Sequence, residues 1–152
     1  MKKIGFIGAG NMGLPLLIGA TKLLGAEQLT FFCADEFSNK RAHETTGVEQ
    51  SESLENLIKT SECIVLAVKP QSFGEVLPAI KANTFDGQII ISLAPGVTVD
   101  YLSNETGGKT KIVRTMPNTP AMVFEGMTAI CFGSDNFTEE ANTGKGAKLG
   151  KW

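Results

Sequence analysis

The sequence predicts an α/β fold, a doubly wound and mostly parallel sheet with helices on both faces. Three observations carry this. Short apolar runs alternate with segments of helical spacing from residue 3 to residue 132. A glycine-rich turn, Gly8-Ala9-Gly10-Asn11-Met12-Gly13, joins the first apolar run to the first helical one. No fixed-period repeat and no flexible linker interrupts the alternation before residue 140.

Each element has its own local signal. Residues 3–7 (KIGFI) read as a short buried strand. Met12, Leu16, Leu17, Ala20 and Leu24 recur at helical spacing, with Pro15 tolerated in the first turn and Gly25 placed to end the helix. Leu29–Ala34 is a second strand, followed by Asp35. Asn39–Thr46 reads as a polar helix closed by Gly47, and Ser53–Thr60 as another short helix. Cys63–Val68 is a continuous apolar run without alternation, as expected of a strand buried on both faces. Ser72 and Glu75 form a capping-box pattern for a helix over Phe73–Lys81. Gln88–Leu93 is a further buried strand closed by Ala94-Pro95-Gly96. Thr98 and Asp100 open a short helix that ends near Gly107-Gly108. Lys111–Met116 and Met127–Phe132 are the last two strands.

Composition narrows the class. The chain has 152 residues, 42% hydrophobic and 20% charged, which suits one folded domain and excludes general disorder. No apolar run reaches the ~18 residues of a membrane helix, and glycines break the basic-then-apolar start, so neither a membrane span nor a secretion signal is expected. Acids slightly exceed bases, and there are two arginines and one tryptophan, which speaks against nucleic acid. Cys33, Cys63 and Cys131 are far apart in apolar runs and lack CxxC or Cys/His pairing; they read as buried thiols of a reducing, cytoplasmic compartment, with no metal site. The single histidine, His43, falls on a polar helix and reads as a surface residue. Residues 1–140 hold 11 basic and 16 acidic side chains, whereas 141–152 hold three lysines and no acid. The expected organisation is therefore a folded unit at 1–140 and an irregular basic tail at 141–152.

Glycine is in excess, 17 residues against a usual share of about 7%. The GxGxxG turn gives part of the excess a purpose. Gly8 permits the tight turn, Gly10 lets backbone approach a pyrophosphate, and Gly13 lets helix pack on strand. With a strand before it and a helix after it, the turn predicts dinucleotide binding on a Rossmann-like sheet. Asp35, 22 residues beyond Gly13, is placed to accept ribose hydroxyls and leans toward NAD. The neighbouring Ser38, Asn39, Lys40 and Arg41 could hold a 2′-phosphate, so NAD and NADP both stay open. Val68-Lys69-Pro70-Gln71 and Ser92-Leu93-Ala94-Pro95-Gly96 sit at strand ends where a nicotinamide could lie; Lys69 is either a surface lysine or a cofactor or substrate contact. Pro117-Asn118-Thr119-Pro120 is a stiff loop presenting an amide and a hydroxyl.

GFIGAGNMG at 5–13, AVKPQ at 67–71, SLAPGV at 92–97 and RTMPNTP at 114–120, in that order and spacing, resemble pyrroline-5-carboxylate reductase over about residues 1–140. The resemblance implies reduction of 1-pyrroline-5-carboxylate to proline with NADPH or NADH. It implies that the backbone at Ala9, Asn11 and Met12 holds phosphates and that Asp35 meets the adenosine ribose. It further implies that Val68, Lys69, Ala94 and Pro95 approach the nicotinamide and that Asn118 lies at the mouth of the site. Two positions depart from the family: Pro95 stands where Ala is common, and Asp35 where Ser is frequent. The family also continues for roughly a hundred residues more as a helical domain that carries the dimer contact and the imino-acid site. Nothing after residue 140 resembles it, so the chain is expected to be the cofactor half of a truncated or frame-shifted product, with little turnover alone. The surface left uncovered favours a weak homodimer. Two alternatives are a non-catalytic dinucleotide-binding module and a related imine or 3-hydroxyacid dehydrogenase domain; the MPNTP loop favours the pyrroline enzyme over the latter.

Overall fold

The computed structural model describes residues 3–10, 12–94, 96–117 and 128–132; at 115–117 and 128–132 it describes the backbone alone. Six strands form one sheet in the order β2-β1-β3-β4-β5-β6: β1 Lys3–Ile7, β2 Leu29–Phe32, β3 Ser61–Leu66, β4 Ile89–Ser92, β5 Lys111–Pro117 and β6 Thr128–Phe132. The first five run parallel, and β6 returns antiparallel to β5, with Pro117 opposite Thr128. Five helices connect them: α1 Gly13–Leu24, α2 Glu36–Thr46, α3 Leu54–Thr60, α4 Phe73–Asn83 and α5 Val99–Glu105. The doubly wound sheet is thus present, with its strand order reversing between β1 and β3.

Continuous apolar strands are explained by two cores, one on each face. Phe6, Val65, Ile89, Ile91 and Val113 pack with Leu16, Leu17 and Ala20 of α1 and Ala42 of α2. Their strand neighbours Ile7, Ile64, Leu66, Ile90 and Ile112 pack with Leu57 and Ile58 of α3, Val76, Leu77 and Ile80 of α4, and Leu102 of α5. Successive side chains of a strand point to opposite faces, so a strand covered on both sides must be apolar at every position.

Several boundaries differ from the sequence expectation, each for a local reason. Helix α2 begins at Glu36 rather than Asn39, because Asp35 is its N-cap: the Ser38 N–H donates to Asp35 Oδ2 at 2.8 Å. Strand β2 ends at Phe32 because the backbone of Cys33 is taken by Asn39, whose Oδ1 accepts from Cys33 N–H (3.0 Å) and whose Nδ2 donates to Cys33 O (2.9 Å). Strand β3 is shifted to Ser61–Leu66, and Ala67 and Val68 leave it for the cleft described below. The Ser72/Glu75 capping box is not formed. A 3-10 turn at Pro70–Ser72 leads into α4, so Ser72 is already helical in backbone and makes no side-chain cap. Pro78 lies inside α4, which forgoes the bond that residue 78 would donate to Gly74. Thr98 caps α5 by accepting from Tyr101 N–H at 3.1 Å, and Gly107 and Gly108 close it at φ +88° and +74°. Of the thiols, Cys33 is buried and Cys63 half-buried; the Cys131 side chain is outside the described residues, as are the 140/141 boundary and the tail. His43 is exposed, with Nδ1 2.9 Å from Val48 O.

Gly5 sets how close α3 lies to the sheet. A Cβ there would collide with Ser61 Oγ and come within 2.7 Å of Leu57 Cδ2. Replacing Gly5 with Ala is therefore expected to lower stability by about 1–3 kcal/mol through overpacking. Urea unfolding measures this, and a change under about 0.5 kcal/mol, as at an ordinary surface site, would be the contrary result.

Candidate dinucleotide site

The site is built where the strand order reverses. Outside the carboxyl ends of β1, β3 and β4 lies a cleft of about 400 Å³. Gly10 and Met12 line it from the loop after β1, Ala67, Val68, Lys69, Pro70 and Gln71 from the segment after β3, and Leu93 and Ala94 from the end of β4. Open parallel sheets bind ligands at such a switch point.

The three motif glycines have separate tasks. Gly8 has φ +93°, and a Cβ on it would sit 2.9 Å from Ala67 O. Gly13 is buried, and a Cβ on it would sit 2.5 Å from Gly8 O and 2.9 Å from the Ala67 methyl. Both are glycine because α1 starts against the ends of β1 and β3. Gly10 is different: a Cβ there would meet nothing within 4 Å. Its missing side chain leaves backbone open toward the cleft, as the approach of a diphosphate requires.

Electrostatics agree with an anion at this corner. The start of α1 has no side-chain cap: Met12 is its N-cap residue and supplies none. Helices α2, α3 and α5 are each capped by a side chain, from Asp35, Ser53 and Thr98. In the first turn Leu14 N–H is bonded to Gly10 O at 3.0 Å and Pro15 has no N–H, so among the described residues Gly13 N–H is the first-turn amide that no side chain caps, and the helix dipole favours negative charge there. Ala9 is buried, and its N–H is directed to the Cys33 sulfur. That contact anchors the loop to the residue after β2. Burial pushes the Cys33 thiol up to about 11, so it stays protonated at neutral pH.

The remaining sequence-predicted residues fall as follows. Val68 is half-buried, Ala94 is buried and Lys69 is exposed, and all three line the cleft. Lys69 is the sole charged residue among the described residues lining it. Asp35 stands at the far corner, exposed, two residues past Cys33. Its carboxyl is held below the usual carboxylate range, first by the Ser38 backbone N–H and then by the Ser38 side chain. Pro117 ends β5. Asn11, Pro95, Asn118 and Thr119 lie outside the described residues. The hydropathy pattern missed Asn39, a buried polar side chain that fixes the β2–α2 corner. Among the described residues no cluster of His, Cys, Asp or Glu could hold a metal, and no helix is long and apolar enough to cross a membrane.

A parallel sheet with a glycine loop at its switch point and an open, uncapped helix start defines a dinucleotide-binding domain of the oxidoreductase class. The chain belongs to the family described as NADP oxidoreductase, coenzyme F420-dependent, which matches residues 3–96. It is 37% identical over 131 residues to the pyrroline-5-carboxylate reductase of Escherichia coli, a match covering 85% of this chain and 49% of that protein. It is likewise 37% identical over 144 residues to the Haemophilus influenzae enzyme of that name, covering 93% of this chain and 52% of that one. Among solved structures, a pyrroline-5-carboxylate reductase from Coxiella burnetii superposes with a TM-score of 0.87 at 25% identity, over 97% of this chain and 55% of that one. The Plasmodium falciparum pyrroline carboxylate reductase with NADP bound superposes at 0.80 and 28% identity, over 98% of this chain and 54% of that one. The chain spans about half the length of the curated relatives it matches.

The two kinds of glycine separate experimentally. Gly10→Ala should leave stability within about 0.5 kcal/mol, since its Cβ enters open space, yet weaken dinucleotide binding about tenfold or more. Gly13→Ala should lower stability by about 1–3 kcal/mol, because backbone lies in the way. Calorimetric titration beside thermal melting reads both; equal effects on stability would contradict the assignment.

Proposed function

We propose that this chain is the cofactor-binding half of a pyrroline-5-carboxylate reductase, the enzyme that reduces 1-pyrroline-5-carboxylate to L-proline with NADPH or NADH. The observation that carries the reading is the cleft itself. Its walls are the loop at 8–13, the AVKPQ segment and the end of β4, which are three of the segments that resemble that enzyme. The matches to relatives of that name, over 85% or more of the chain, support it. In this reading residues 1–140 form the dinucleotide-binding unit and residues 141–152 a basic tail.

The residues present fit the diphosphate and nicotinamide of a bound dinucleotide. The open backbone at Gly10, with Asn11 and Met12 at the helix start, would hold the phosphates, and Ala9 would brace the loop from below. Val68, Lys69, Ala94 and Pro95 would bound the nicotinamide, with Pro117, Asn118 and Thr119 on the substrate side. The reduced nicotinamide supplies hydride when bound. The chain's own part is to orient that ring at strand ends and to shield one side of it with Leu93, Ala94 and Val68. Lys69 adds positive charge to an otherwise uncharged wall, which suits an anionic imino acid. The relatives' further length supports a substrate site completed by residues beyond this chain. The setting is cytoplasmic, and the chain alone associates as a weak homodimer.

Positioning of reactants is worth about 7–11 kcal/mol of a barrier, so half a site turns over poorly. The chain alone should bind dinucleotide yet show turnover far below the usual enzyme range of about 1–1000 per second. Adding the second half of an intact relative should restore activity. Binding without any restoration would favour a non-catalytic dinucleotide module. Sedimentation across a concentration series tests self-association; one monomer species at every concentration would remove the homodimer.

A further inference from the structure

We propose that Asp35 makes this chain select a dinucleotide whose adenosine ribose is unphosphorylated, so that NADH binds in preference to NADPH. The proposal rests on the dinucleotide-binding reading above and runs against the cofactor in the family's description.

The placement comes first. Gly8 N–H donates to Phe32 O at 2.9 Å, so the glycine loop and the tip of β2 are fixed neighbours. Asp35 is three residues past Phe32, exposed, at the corner where a doubly wound sheet receives the adenosine ribose. Oδ2 accepts from Ser38 N–H at 2.8 Å and the Ser38 side chain also bonds the carboxylate, whose exposed side remains open to ribose hydroxyls. Glu36, also exposed, adds a second carboxylate in the first turn of α2.

A 2′-phosphate would need compensation at this corner, and the Asp35 carboxylate already draws on Ser38 and Arg41, two of the groups that could give it. The start of α2 could offer amide donors, but Asp35 itself takes the Ser38 N–H, and Asn39 N–H is bonded to Asp35 O at 3.3 Å. Arg41 is the nearest guanidinium in sequence. It lies over the Phe37 ring at 5.7 Å from the centroid, its Nε is buried without a hydrogen-bond partner and so is withheld from an exposed phosphate, and its charge already acts on Asp35. Lys40 is the remaining cation, a single exposed ammonium opposed by Asp35 and Glu36. The helix cap also keeps Asp35 ionised at neutral pH, so its repulsion of a phosphate close to doubly charged is fully present.

The test is titration of the full chain with NADH and with NADPH at moderate salt, followed by binding rather than turnover. NADH should bind at least about tenfold more tightly. Ser and Asn are both good N-caps, so D35S and D35N keep α2 intact, which circular dichroism and melting verify. In D35S the NADPH affinity should rise about tenfold, and the ratio should collapse to within about threefold. NADPH binding as tightly as NADH to the unaltered chain, or a ratio unmoved by D35S, would overturn the proposal while leaving dinucleotide binding in place. A folded chain that binds neither would overturn both.

Discussion

Everything in the candidate site depends on how closely α1 can start against the ends of β1 and β3. That distance is set by two absent side chains. At Gly13 any Cβ would strike the Gly8 carbonyl, and at Gly8 it would strike the Ala67 carbonyl. Ala67 is itself tied to β1 by its N–H bond to Ile7 O at 2.9 Å. The loop, the helix start and the end of β3 are therefore one rigid corner, and the cleft is the space they leave. A larger residue at either glycine would tilt α1 away, remove its amides from the cleft and loosen Leu16 and Leu17 in the core beneath.

A second corner, between β2 and α2, is held by polar contacts instead of shape. Asn39 is buried, yet both ends of its amide are satisfied by the backbone of Cys33. This is the condition under which a buried polar group stabilises a fold rather than weakening it. Gly8 N–H in turn donates to Phe32 O at 2.9 Å, one residue before Cys33, so the two corners are linked through the end of β2. Truncating Asn39 would leave two backbone groups of Cys33 unpaired and would be felt in the glycine loop.

The architecture was legible in the sequence because it rests on periodicity. Apolar strands such as Cys63–Val68 and Gln88–Leu93 had to be covered on both faces, and the alternating helices could only cover them that way. The glycine motif was legible because Gly8 and Gly13 answer steric demands of the chain itself. What the pattern hid were contacts between polar groups, which leave hydropathy unchanged. Asp35 as a helix cap and Asn39 as a strand-end tether both fall where the sequence offered these residues as candidate cofactor contacts, and α2 was expected three residues late because the cap was not recognised. The Ser72/Glu75 pattern misled in the opposite sense. Proline at 70 starts a helical turn early, so Ser72 already has helical backbone angles where a cap must be extended. The loop at 117–120 drew on resemblance more than on physics, and its asparagine and threonine stand beyond the described residues.

The distribution of helix caps sets the start of α1 apart from those of α2, α3 and α5. A side-chain cap satisfies an orphan amide and, when it is Asp, neutralises the positive end of the dipole. Asp35, Ser53 and Thr98 do this for α2, α3 and α5. The N-cap residue of α1 is Met12, which has no such group to offer. A capping side chain contributes about 1 kcal/mol to a helix, so an uncapped start leaves that stabilisation for a ligand to supply. The same accounting turns Asp35 from a ribose acceptor alone into a residue with two tasks. Its carboxylate closes α2 against anions and stands exposed at the corner beyond β2, so the charge that stabilises the helix is also the charge a 2′-phosphate would have to face.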